Sequence, residues 1–104
     1  MGINYGDLMK QAKVMQKKLE TIQEELKSMV FESSSGGGAV KVKVNGEQQL
    51  LEIKITKEIV DPEDIEMLED MVMVAVNDAI TKSKNEYNNK MGSLTGGMNV
   101  PGLF

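Results

Sequence analysis

Between residues 5 and 29, Tyr5, Leu8, Ala12, Met15, Leu19, Ile22, Leu26 and Met29 follow one another at alternating intervals of three and four. A 3.5-residue seam sustained over three heptads predicts a long helix over residues 5–29 that packs lengthwise on another helix. Asn4, with Asp7 three residues on, marks its start. With Ala12 and Leu19 at heptad position a, Lys13 falls at b and Lys10 and Lys17 at f, facing away from the seam. A second helix is predicted over residues 62–91. It opens at Asp61-Pro62-Glu63-Asp64, which offers a cap residue, a proline whose missing N–H costs nothing there and acids matched to the helix dipole; Gly92 closes it. Its stretch "MVMVAV", residues 71–76, is apolar on every side, which in a small domain predicts burial against two surfaces. One is its own sheet and the other a second protomer, so Met71, Val72, Val74 and Val76 are the expected dimer-interface residues.

Between the helices the period changes to two. A short strand is predicted around residues 30–34, followed by two strands joined at Asn45-Gly46, a type I′ hairpin signal. A turn centred there pairs Val42 with Gln49 and Val40 with Leu51. One face then carries Val40, Val42, Val44, Leu51, Ile53 and Ile55, and the other Lys41, Lys43, Glu52 and Lys54, with Leu50 as the exception. That alternation reads as the wet face of a half-buried antiparallel sheet. The whole pattern is an α+β domain, α-β-β-β-α, with a three-stranded antiparallel sheet and two long helices. One domain fills residues 1–104, ending in a turn-rich tail over 93–104 whose Leu94, Met98, Val100, Leu103 and Phe104 could dock on the body or on a partner.

The stretch "SSSGGGAVKVKVNG", residues 33–46, resembles a phosphate cradle in its glycines. A phosphate-binding loop needs spaced glycines followed by Lys and Ser/Thr opening a helix. Here Gly36, Gly37 and Gly38 run straight into strand residues, so the run is expected to be a turn between strands.

Composition narrows the chemistry further. The 104 residues contain no Cys and no His, which excludes disulfides, thiol chemistry, imidazole ligation and histidine acid/base catalysis. Unlinked carboxylates and lysines without a pocket signature make no catalytic constellation, so no enzyme, no metal and no cofactor are expected. The longest apolar run, residues 71–76, is far short of the ~20 residues of a membrane span. No charged-then-apolar signal segment opens the chain, and a cytoplasmic protein without membrane contact is expected.

Net charge is −4, and all twelve cationic residues are Lys. Their placement is uneven. At 1.5 Å per residue both helices are longer than a compact 100-residue body, and the topology sets their far ends side by side as an arm. Residues 5–18 and 81–91 hold Lys10, Lys13, Lys17, Lys18, Lys82, Lys84 and Lys90 against Asp7 and Glu86, a net of +5. The remainder, with five lysines and fourteen acids, carries −9. In the first helix four lysines precede Glu20, Glu24 and Glu25, the reverse of the order the helix dipole favours. Stability alone does not explain that order; a cationic ligand-facing surface does.

The segments "LMKQAKVMQKKLETIQEEL", "ESSSGGGAVKVKVNGE", "MLEDMVMVAVNDAI" and "LTGGMNVPGL", in this order and spacing, resemble the YbaB/EbfC family of bacterial nucleoid-associated proteins over essentially the whole chain. The resemblance implies a tweezer-shaped homodimer of α-β-β-β-α subunits whose helical arms bind double-stranded DNA in the bacterial cytoplasm, at the nucleoid. Carried over by position, the arm residues are the lysines of residues 10–18 and of residues 82–90. The chain departs from the family pattern in the extra serine of the 33–35 run and in having no Arg. Bidentate guanine recognition is mainly an arginine property, so phosphate contacts with weak or no sequence preference are expected. A second reading is an adaptor for recombination or repair proteins, using the acidic body and the apolar tail.

Overall fold

The computed structural model describes residues 4–94, so the tail positions Met98, Val100, Leu103 and Phe104 lie outside the described residues. The elements are α1 (Tyr5–Ser28), β1 (Val30–Ser35), β2 (Val40–Asn45), β3 (Leu50–Ile55) and α2 (Ile65–Leu94), in the predicted order. The strands form one antiparallel sheet in the order β1-β2-β3.

Asn4 caps α1 as its position suggests, its side-chain oxygen accepting the N–H groups of Gly6 at 2.9 Å and Asp7 at 3.4 Å. The start of α2 lies later than expected. Asp61 accepts the Glu63 N–H at 2.9 Å and forms a turn around Pro62, while Asp64 accepts the Met67 N–H at 3.2 Å and is the cap. Two aspartates three residues apart offer the same cap chemistry, and the turn claims the first. Gly92 does not close the helix, which continues to Leu94; among the described residues a Cβ at Gly92 would meet nothing within 4 Å.

The core lies where α2 crosses the middle strand. Val40, Val42 and Val44 are buried beneath Ala75 and Ala79, with Phe31, Ile59, Leu68, Met71, Val72, Val76 and Ile80 packed around them. The two alanines, four residues apart, let the helix backbone approach the central strand. Burying each valine stabilises the fold by about 1.5–3 kcal/mol. The expected "two-sided" stretch is resolved residue by residue: Met71, Val72 and Val76 pack on this core, whereas Met73 and Val74 are exposed.

The hairpin corrects the sequence reading. Val42 pairs with Ile53 and Val40 with Ile55, four residues away from the predicted partners. The loop spans residues 46–49, closed by the Asn45 N–H donating to the Gln49 carbonyl at 3.0 Å, and positive φ is found at Gln48 (61°) rather than Gly46. Gly46 answers a different need. Its N–H donates to the Leu26 carbonyl at 2.8 Å, and a Cβ there would overlap that carbonyl. A four-residue shift is even, so the two faces keep the predicted residues up to an irregularity beside Val44, which seats Leu50 opposite that residue and removes it as an exception. The glycine run forms the β1–β2 turn, with φ of 61°, 68° and 93° at Gly36, Gly37 and Gly38.

The molecule is elongated, with extents of 74 × 25 × 17 Å. Its radius of gyration is 20.0 Å, against ~13 Å for a compact chain of this length. The excess comes from the two helices running past the sheet.

Candidate nucleic-acid interface

Coverage of α1 decreases steadily toward its start. Leu26 is fully buried and Leu19, Ile22 and Met29 are half-buried, but Tyr5, Leu8, Ala12 and Met15 are exposed. Within the described residues the seam meets α2 along its second half, where Ser93 and Leu94 lie beside Val14, Lys17, Lys18, Thr21 and Ile22. Among the described residues nothing covers the first turns of α1, which project as a rod. Lys10, Lys13, Lys17 and Lys18 all stand on this stretch, and none has an ion pair among the described residues. Lys17, placed opposite the seam by the heptad, lies with Lys18 along the groove beside Leu94.

The lysines of α2 divide. Lys84 is exposed and unpaired among the described residues. Lys90 pairs with Glu25 at 3.0 Å and ties the two helices together. Lys82 belongs to the body: its ammonium lies 3.4 Å from Asp78 and donates to the Glu32 carbonyl at 2.9 Å. The expected cluster of seven is thus split, with five lysines unpaired and two spent on structure.

On the outer sheet face Lys43 lies between Glu32 at 3.5 Å and Glu52 at 3.6 Å, and Lys54 reaches Glu52 at 4.0 Å. That alternation is largely self-neutralising. Beside it, the Ser33 hydroxyl donates to Asp78, and this bond together with Lys82 holds the Asp78 carboxyl below its ordinary value of 3.8.

Ser83, which the sequence reading passed over, ties α2 to the hairpin loop. Ser83, fully buried, donates to the Asn45 carbonyl at 2.7 Å and accepts the Gln48 amide at 3.0 Å. Asn45 in turn accepts the Glu47 and Gln49 N–H groups at 2.9 and 3.0 Å. The available signal was the small-residue row Ala75, Ala79, Ser83 at intervals of four, which marks one closely approached helix face.

Fold and charge together define a small, elongated α+β protein in which, among the described residues, Lys10, Lys13, Lys17 and Lys18 stand without an ion pair on one projecting helix. A sequence model of the YbaB/EbfC DNA-binding family matches residues 1–98. A nucleoid-associated protein of Clostridium perfringens (strain SM101 / Type A) is 52% identical over 101 residues, covering 97% of this chain and 90% of the relative. Another, from Clostridium novyi (strain NT), is 47% identical over 103 residues, covering 99% and 90%. The crystal structure of an uncharacterized protein from Helicobacter pylori superposes with a TM-score of 0.82 at 26% identity, over 90% of this chain and 99% of that one. The chain belongs to the YbaB/EbfC DNA-binding family.

Proposed function

We propose that this protein acts at the bacterial nucleoid as a homodimer that holds duplex DNA by lysine–phosphate contacts from its helical arms, with weak or no sequence preference. The observation that carries the reading is the contrast between lysines. Those of the α1 rod are unpaired among the described residues, whereas Lys43 and Lys54 on the sheet face are matched by Glu32 and Glu52. Unpaired, exposed ammonium groups give up no protein partner when they replace counterions on phosphate. The absence of Arg removes the main bidentate reader of guanine, and the names of the relatives as nucleoid-associated proteins agree with the location.

Support for the dimer comes from apolar surface that one chain leaves bare. The helix α2 covers β1 and β2, but Leu50, Ile53 and Ile55 of β3 remain 40–51% exposed, and Met73 and Val74 are exposed as well. Such an area on a chain with so small a core fits a second copy.

The test is binding to random duplexes across a salt series. If about five phosphates are engaged by the two arms, log affinity against log salt falls with a slope of ~−4.5, nearly the same for unrelated sequences. A flat salt response overturns the electrostatic mechanism, and a strong preference for one duplex overturns the lack of readout.

A further inference from the structure

Asn45-Gly46 is the one Asn-Gly pair in the chain. In a flexible peptide such a pair modifies itself, because the glycine nitrogen, with no side chain in its way, can close on the asparagine Cγ. Here both residues are buried, and each reacting atom has a partner. The Gly46 N–H donates to the Leu26 carbonyl of α1 at 2.8 Å. The Asn45 side chain is held by its own loop: Oδ1 accepts the N–H groups of Glu47 at 2.9 Å and Gln49 at 3.0 Å, and Nδ2 donates to Gln49 Oε1 at 2.7 Å. The two sets of bonds act oppositely. Two N–H donors on Oδ1 polarise Cγ toward a nucleophile, as donors do at an oxyanion in acyl transfer, and all of them lie within four residues of Asn45. The bond that withholds the nucleophile comes instead from another element.

We propose that Asn45-Gly46 is a self-modification site latched by α1: inert while the helix is docked, it reacts when the helix lifts from the body. The attachment is slight. Among the described residues Leu26 is the only fully buried side chain of α1, helped by the Glu25–Lys90 pair at 3.0 Å and by the Gly46 hydrogen bond itself. Once the Leu26 carbonyl is gone, the Gly46 nitrogen gives its proton to water or hydroxide and bonds to Cγ, the Cγ–Nδ2 bond breaks, and Nδ2 takes up a proton and leaves as ammonia. Water then adds to either carbonyl of the succinimide, giving aspartate or an isoaspartate whose main chain runs through Cβ and Cγ. One water is consumed, one ammonia is released, and nothing is oxidised or reduced. The isoaspartate main chain is longer by one atom, so the carbonyl that accepts the Ser83 hydroxyl at 2.7 Å and the nitrogen that meets Leu26 are both displaced. The helix then has no matching seat to return to, and the modification runs one way.

The test follows isoaspartate at residue 45 by peptide mapping while the full chain is incubated at mildly alkaline pH, beside the free peptide VKVNGEQQ. The folded chain is expected to modify this position slower than the peptide by roughly tenfold or more. Equal rates overturn the latch. Leu26→Ala keeps the carbonyl but removes the buried side chain that seats α1, and Lys90→Gln frees Glu25 as a gentler release. Amide exchange over residues 20–28 and over β2, measured on the same samples, separates lifting of α1 from unfolding of the whole chain. Faster exchange in α1 with β2 still protected is expected to bring a matching rise in isoaspartate at residue 45. The same rise in exchange without modification overturns the proposal, and so does modification that rises only together with β2 exchange, which places the gate at global unfolding. In the modified chain the α1 amides are expected to remain fast-exchanging; a return to full protection overturns the one-way step.

Discussion

At Gly46 a single missing side chain lets the hairpin loop touch the backbone of α1. Alanine there would press a Cβ against the Leu26 carbonyl and break or strain the 2.8 Å hydrogen bond from the loop. Gly46→Ala is therefore expected to lower stability by about 1–3 kcal/mol in a denaturant titration. Gly92→Ala, at a helical position where no described residue lies within 4 Å of the missing Cβ, is expected to raise it by about 0.5–1 kcal/mol. The sequence places Gly46 in a hairpin turn and Gly92 at a helix end; their surroundings decide what each position requires. Asp78 offers a third residue-level expectation. Its folded pKa lies below 3.8 because of the Ser33 hydroxyl and Lys82, so its contribution to stability is present above about pH 4 and is lost as pH falls through the folded value. Asp78→Asn should remove that part of the acid dependence, measured by unfolding between about pH 2 and pH 6.

For α1 as an element, packing and charge can be changed separately. Lys10, Lys13 and Lys17 make no ion pair among the described residues and sit on the exposed half of the helix, so replacing all three by Gln leaves helix propensity nearly unchanged. The far-ultraviolet spectrum and melting temperature are expected to match the parent. Duplex affinity should fall, with a salt slope shallower by roughly 0.9 for each phosphate that is no longer neutralised. The matching change on the sheet, Lys41, Lys43 and Lys54→Gln, removes with Lys43 and Lys54 the partners of Glu32 and Glu52 and is expected to leave DNA binding largely intact. Loss of binding in the sheet variant alone would move the interface to the hairpin. The seam itself was legible as a helical repeat, but its length overstated how far the two helices pack together. A repeat reports which side of a helix is apolar; how much of that side a neighbour covers is settled by tertiary packing.

In the whole molecule, one group of exposed apolar residues lies where α2 stops covering the sheet. Ile53 and Val74 are 41% and 59% exposed in the single chain, so a lysine at either position is compatible with the folded subunit. In a dimer that buries them, the same lysine is an unpaired buried charge. Sedimentation of Val74→Lys or Ile53→Lys is expected to show the one-chain mass of 11.5 kDa with native secondary structure, while the parent sediments as two chains. A parent that sediments as a well-folded single chain at micromolar concentration contradicts the homodimer.

The order of elements, the inner and outer faces of the sheet and the gathering of lysine at one end of α1 were determined by the sequence itself, because periodicity and capping act over a few residues. The hairpin register and the separation of the lysines were decided by the tertiary structure. Asn45-Gly46 carries the local signature of a two-residue turn, but Gly46 is claimed by the Leu26 carbonyl and Asn45 by Ser83, which lie 20 and 38 positions away in the chain. Lys82 and Lys90 likewise look like arm cations until Asp78, the Glu32 carbonyl and Glu25 are brought beside them. Local preferences can specify a helix or an alternating strand; which of two equivalent groups is used depends on partners that only the folded chain assembles.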